Sequence, residues 1–193
     1  RGLFAGAGPS FSKEINYIEI QSQGNSIRFG DLTTASGDVQ GGSSSTRGLF
    51  GAGQGSGSPG LVNTIEFVTI ATTSNATNFG DLNETTFQGA ALGNETRYVY
   101  GGGTSPTVKD VIDFVTIATT GNATDFGDMT SAKGSSLAAT SDSIIGCIGG
   151  GPSADDTIEK ITIQTTGNAV NFGDLFEGRN QVGATSDSHG GLS

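Results

Sequence analysis

The stretch Ile117–Met129 reads IATTGNATDFGDM, and it recurs without a gap as Ile20–Leu32 (IQSQGNSIRFGDL), Ile70–Leu82 (IATTSNATNFGDL) and Ile163–Leu175 (IQTTGNAVNFGDL). A period of about 48 residues is the mark of a repeat architecture, in which each unit buries its apolar face only by stacking on its neighbour. The chain divides into units 1–46, 47–96, 97–143 and 144–193, expected to share one continuous core as a single domain.

Just upstream of the repeated stretch, and overlapping its first residue, lies the clearest strand of each unit: Ile15–Ile20, Ile65–Ile70, Ile112–Ile117 and Ile158–Ile163. In the second unit Ile65, Phe67 and Thr69 alternate with Val68 and Ile70, so both faces are apolar, as in a sheet packed between two others. The pairs Gly24-Asn25, Ser74-Asn75, Gly121-Asn122 and Gly167-Asn168 are expected to turn the chain, with positive φ, into a strand carrying Phe29, Phe79, Phe126 or Phe172. Further out, each unit opens with an apolar segment ending in glycines (Gly2–Gly6, Gly48–Gly53, Tyr98–Gly103, Gly146–Gly151). Each closes with a strand of small residues (Gly37–Ser43, Phe87–Gly93, Gly134–Thr140, Asn180–Ser186). Four antiparallel strands per unit without helical periodicity describe an all-β chain of propeller blades.

Composition narrows the function classes. The net charge is −10, with only nine Lys and Arg, which opposes nucleic acid and acidic membrane surfaces as partners because phosphate binding depends on clustered cations. No apolar run approaches the roughly 20 residues of a membrane span, and no signal-peptide pattern begins the sequence. The one cysteine, Cys147, stands where other units have Leu3, Leu49 and Val99, and so reads as a small core residue.

Glycines after an apolar strand, followed by aromatics twelve residues apart, resemble the kelch repeat; the pairs are Tyr17 with Phe29, Phe67 with Phe79 and Phe114 with Phe126. The fourth unit departs from the pattern with Lys160 before Phe172. The wording TRGLFGAG, NTIEFVTIATT and GNATDFGD is similar to kelch-like repeats in virion structural and tail-fibre proteins of tailed phages, especially those of marine cyanobacteria. In kelch topology the small-residue strand is innermost in the next blade, the glycine-ended strand second, the Ile-rich strand third and the Phe strand outermost. Pairing of Asn180–Ser186 with Gly2–Gly6 would then close four blades into a ring and hide both open edges; the alternative is a part of a larger propeller.

This topology places the loops after the second strands on one face, where their lengths and sequences differ between units. Variation concentrated on one face of a fixed scaffold suits a ligand surface. The candidate binding residues are Ser10, Phe11, Gln54, Ser58, Thr104, Thr107, Asp155 and Asp156. Asp155 and Asp156 are adjacent and diverge in a strand, which makes them a poor metal pair. The recurring Asp31, Asp81, Asp128 and Asp174 read as caps on the turn leaving the outer strand rather than calcium ligands, since each unit offers one carboxylate. The only histidine, His189, has no triad spacing, and no catalytic residue, metal site or cofactor is expected.

The resemblance implies a non-enzymatic structural or receptor-contacting component of a phage virion, in a tail fibre or other appendage. Its partners would be other virion proteins and further copies of itself, with a host-surface glycan as a candidate ligand and many copies giving avidity. The alternatives are a carbohydrate-binding adhesive module on a cell surface, with Tyr98 or Tyr100 stacking on sugars, and then a propeller-type glycosidase or oxidase.

Overall fold

The computed structural model describes residues 1–7, 10–55, 60–134, 137–152 and 155–187. Their strands in chain order are β1 (Gly2–Ala5), β2 (Ser12–Ile18), β3 (Ile27–Gly37), β4 (Gln40–Ser43), β5 (Arg47–Gly51), β6 (Gln54–Gly55), β7 (Thr64–Thr69) and β8 (Thr77–Asp81). There follow β9 (Ala90–Gly93), β10 (Arg97–Gly101), β11 (Lys109–Thr116), β12 (Thr124–Lys133), β13 (Ala138–Ser141), β14 (Ile145–Gly149), β15 (Thr157–Thr162) and β16 (Val170–Asp174). Among the described residues there is no helix.

The strands form four antiparallel sheets of four, here called blades: β1-β2-β3-β6, β4-β5-β7-β8, β9-β10-β11-β12 and β13-β14-β15-β16. The small-residue strand of one unit does become the innermost strand of the next blade, with Gly42 opposite Leu49, Leu92 opposite Val99 and Thr140 opposite Cys147. These innermost strands β4, β9 and β13 lie side by side, and small side chains permit that approach. The arrangement is all-β and propeller-like.

Within a blade the twelve-residue aromatic spacing brings rings edge to face. Centroids are 5.9 Å apart for Tyr17 and Phe29, 5.7 Å for Phe67 and Phe79, and 5.8 Å for Phe114 and Phe126. Arg1, Arg47 and Arg97 each lay a guanidinium over the first ring of the pair, at 4.7, 4.7 and 4.2 Å. The core is divided into clusters that sit between blades: Ile15, Phe29 and Val68 between the first and second, Ile65, Phe79 and Val115 between the second and third, and Ile112, Phe126 and Ile161 between the third and fourth.

Three expectations are corrected. Asn180–Ser186 forms no strand and does not pair with β1; instead Ser186 Oγ donates to the Ser141 carbonyl at 2.8 Å, as Ser141 Oγ donates to the Gly93 carbonyl at 2.7 Å. The segment thus lies beside β13 where the next innermost strand would stand, and the expected pairing with β1 is not formed among the described residues. The turn before the Phe strand is made upstream of the Gly-Asn pair, by bonds such as Thr119 N–H to the Thr116 carbonyl at 3.1 Å, and of Gly24, Gly121 and Gly167 only Gly167 has a positive φ (153°). Cys147 is half-buried rather than core, because no blade covers the far side of the fourth, while burial still pushes its thiol pKa up.

Candidate functional site

The loops after β1, β5, β10 and β14 gather on one rim with the crossovers that leave β3, β8, β12 and β16. Backbone hydrogen bonds stitch the two sets together: Ala7 N–H to the Ser36 carbonyl (3.0 Å), Gly53 N–H to Thr86 (3.1 Å), Gly103 N–H to Lys133 (2.8 Å) and Gly151 N–H to Arg179 (3.0 Å). The loop bases are therefore fixed to the scaffold while their tips differ.

The candidate residues separate into those that hold the rim and those that face solvent. Gln54 lies in β6, paired with Gly37 of the first blade and half-buried, and Phe11 packs on the same Gly37. Thr104 exchanges backbone hydrogen bonds with Phe87 at 2.9 and 3.4 Å. Asp155 accepts the Thr157 N–H at 2.7 Å; burial raises its pKa, but the Thr157 hydrogen bonds and the Lys133 ammonium outweigh that and hold it below the usual carboxylate range. Ser10, Thr107 and Asp156 are exposed. Asp156 does not join Asp155 in a site, its carbonyl instead accepting the Leu175 N–H at 2.6 Å. Ser58 and His189 lie outside the described residues.

A second feature escaped the sequence reading. At the middle of the third strand stand Glu66, Asp113 and Glu159, all buried, and each reaches across to the preceding blade. Glu66 accepts from the N–H and hydroxyl of Thr33, Asp113 from the N–H and amide of Asn83, and Glu159 from the N–H and hydroxyl of Thr130, both at 2.8 Å. Burial pushes the Asp113 pKa up, with the Asn83 hydrogen bonds working against it. Glu159 also binds Lys133 Nζ at 3.2 Å, and Lys133, only 1% exposed, has Asp155 at 3.4 Å as well. The readable signal was an acid at one position of an otherwise apolar strand, matched by Thr or Asn two residues after Phe-Gly-Asp.

Those Phe-Gly-Asp segments are themselves joints rather than turn caps. The N–H of Asp31, Asp81 and Asp128 donates to Oδ1 of Asn75, Asn122 and Asn168 of the next blade, each at 3.1 Å. In return the Ala76, Ala123 and Ala169 N–H groups donate to the same three Asp carbonyls at 2.8 Å. The chain matches no known family model and no curated protein.

Along the innermost strands lies a cavity of about 410 Å³ lined by matching segments of the units, Gly41–Ser43, Ala91–Gly93, Ala139–Ser141 and Ala184–Ser186, together with Gly2 and Leu3 of β1. The buried Thr140 hydroxyl has no hydrogen-bond partner among the described residues. Among the described residues no group of three or more His, Cys, Asp or Glu is placed to hold a metal ion.

Proposed function

We propose that the four sheets are consecutive blades of a kelch-like propeller that serves as a non-enzymatic, receptor-contacting part of a phage particle, in a tail fibre or other appendage. The observation that carries the presenting role is the rim, where four loops of different sequence stand on bases pinned to the blades by backbone hydrogen bonds. Binding there costs little ordering entropy, since the scaffold is already set. The phage setting rests on the resemblance of the repeats. The exposed residues Thr107, Asp156 and Ser10 are the contact candidates, and host-surface glycan is the candidate ligand.

The test is binding of purified, labelled protein to host cell envelopes and to arrayed glycans. Thr107→Arg with Asp156→Arg should reduce binding at least tenfold while melting stays the same, because both side chains face solvent. Unchanged binding removes the rim from the reading, and turnover of a glycoside overturns the non-enzymatic role.

A further inference from the structure

The fourth blade ends in half of a joint. Phe29, Phe79 and Phe126 are 4, 2 and 2% exposed because the Asn turn of the next blade covers them, whereas Phe172, at the same position of the fourth blade, is 57% exposed. A Cβ added to Gly30, Gly80 or Gly127 would meet the covering turn at 2.0, 2.1 and 2.5 Å, but at Gly173 it would meet nothing within 4 Å. Gly173 nevertheless keeps the joint conformation, with φ of +154° against +155° at Gly80 and +140° at Gly127. The first blade offers the other half: the turn Gly24-Asn25-Ser26 is exposed, Asn25 is engaged in no joint, and Ile20 is 70% exposed where its equivalents Ile117 and Ile163 are 1 and 0%.

The two halves are also altered together. Where internal joints set Thr33, Asn83 or Thr130 against Glu66, Asp113 or Glu159, the fourth blade has Phe176 and the first has Asn16. Where Arg1, Arg47 and Arg97 donate to the carbonyls of Ile70, Ile117 and Ile163 in the next blade, the fourth has Ile145. An ordinary internal blade docked on the fourth would bury a carboxylate opposite Phe176 with no donor, a costly arrangement. A first-type blade brings the neutral Asn16 instead. The segment Gly183–Ser186 repeats the small-residue pattern of Ala138–Ser141, and by the register of the other blades Thr185 belongs opposite Leu3.

We propose that this face binds a second copy of the chain head to tail. The fourth blade of one copy receives the Gly24–Ser26 turn of the next, and Gly183–Ser186 lies along the edge of the next copy's β1, whose strand partner among the described residues is β2. A second copy, rather than the chain's own first blade, is the occupant because the three internal joints are locked by backbone contact and by a buried carboxylate hydrogen-bonded across each, with a buried ion pair added in the third. Closing the arc on itself would strain them, whereas docking a second arc leaves them unchanged. Contacts of this head-to-tail kind give rings when the rotation closes.

Light scattering after gel filtration should show a mass of two or more chains that falls on dilution. On a Cys147→Ser background, Asn25→Cys with Asp174→Cys should give disulfide-linked multimers on a non-reducing gel. Phe172→Asp should abolish assembly without lowering the melting temperature of the monomer, because the ring is 57% exposed there but its equivalents are buried in every closed joint. That variant should still bind host envelopes through its rim, separating this proposal from the functional one. A monomer at every concentration, a disulfide formed within one chain, or full assembly of Phe172→Asp would each overturn it.

Discussion

Phe79 and Phe172 occupy the same place in their repeats, each followed by Gly-Asp-Leu, yet one is 2% exposed and the other 57%. What separates them is the next blade: Asn122 and Ala123 clamp the backbone of Asp81, while nothing lies within 4 Å of a Cβ built at Gly173. The same residues are thus core in one blade and surface in another, and the unit of stability in this molecule is the joint rather than the blade. This is the nearest-neighbour energetics of repeat proteins, where an interface contributes as much as the repeat itself.

The contrast is broken most directly at the ring. Phe126→Ala should cost about 3–5 kcal/mol, the usual range for truncating a buried Phe, and Phe172→Ala less than about 1 kcal/mol in the monomer. Urea denaturation at low protein concentration measures both, and equal costs would remove the distinction between closed joint and open face. The Lys160 ammonium 5.8 Å from the Phe172 ring centroid contributes little, because that ring is wet.

The buried ions sharpen the comparison among the joints themselves. Removing Glu159 leaves Lys133 buried with Asp155 as its one remaining carboxylate, so Glu159→Ala should cost about 3–5 kcal/mol. Glu66 pairs with no lysine among the described residues, and Glu66→Ala should cost only about 1–3 kcal/mol for the orphaned Thr33 donors. Chemical unfolding of the two variants ranks them, and a larger loss at Glu66 would mean that the Lys133 pair contributes less than its burial demands.

Alkaline pH probes the second and third blades. Burial pushes the Tyr100 hydroxyl pKa up to about 12, against the partial relief of the Gly89 N–H at 3.1 Å, and it raises Tyr98 well above the ordinary value. A folded pKa above the unfolded one means the folded state holds the proton longer. Stability from these groups is complete below about pH 10 and is lost as pH rises toward 12, by about 2 kcal/mol for Tyr100. Tyr100→Phe should lower stability at neutral pH by about 1 kcal/mol and flatten the alkaline decline. A decline of unchanged slope in that variant would assign the effect elsewhere.

The repeat period, the all-β class, the strand order within a blade and the aromatic pairs were legible in the chain because each rests on local alternation or on a spacing that four copies display together. Phe67 and Phe79 had to meet once their strands paired, whatever surrounded the blade. The roles of Asp81 and Asn122 were not legible. Each is an acceptable turn residue in isolation, and only the approach of a second blade turns the backbone of one toward the side chain of the other. The same holds for Lys133 and Glu159, whose pairing is made only where the third and fourth blades enclose them. Among the rim candidates, Thr107 and Asp156 stayed at the surface, whereas Gln54 and Thr104 were drawn into backbone pairing between elements distant in the chain.

The sequence by itself determined the blade, since side-chain alternation and hairpin register act between residues close along the chain. Tertiary structure alone decided which blade faces are core and which remain open, because that depends on whether another blade lies against them. Identical Phe-Gly-Asp segments carry no record of their neighbour; the change from Thr, Asn and Arg to Phe176 and Ile145 does, and it gained meaning only when the contacts it replaces were seen.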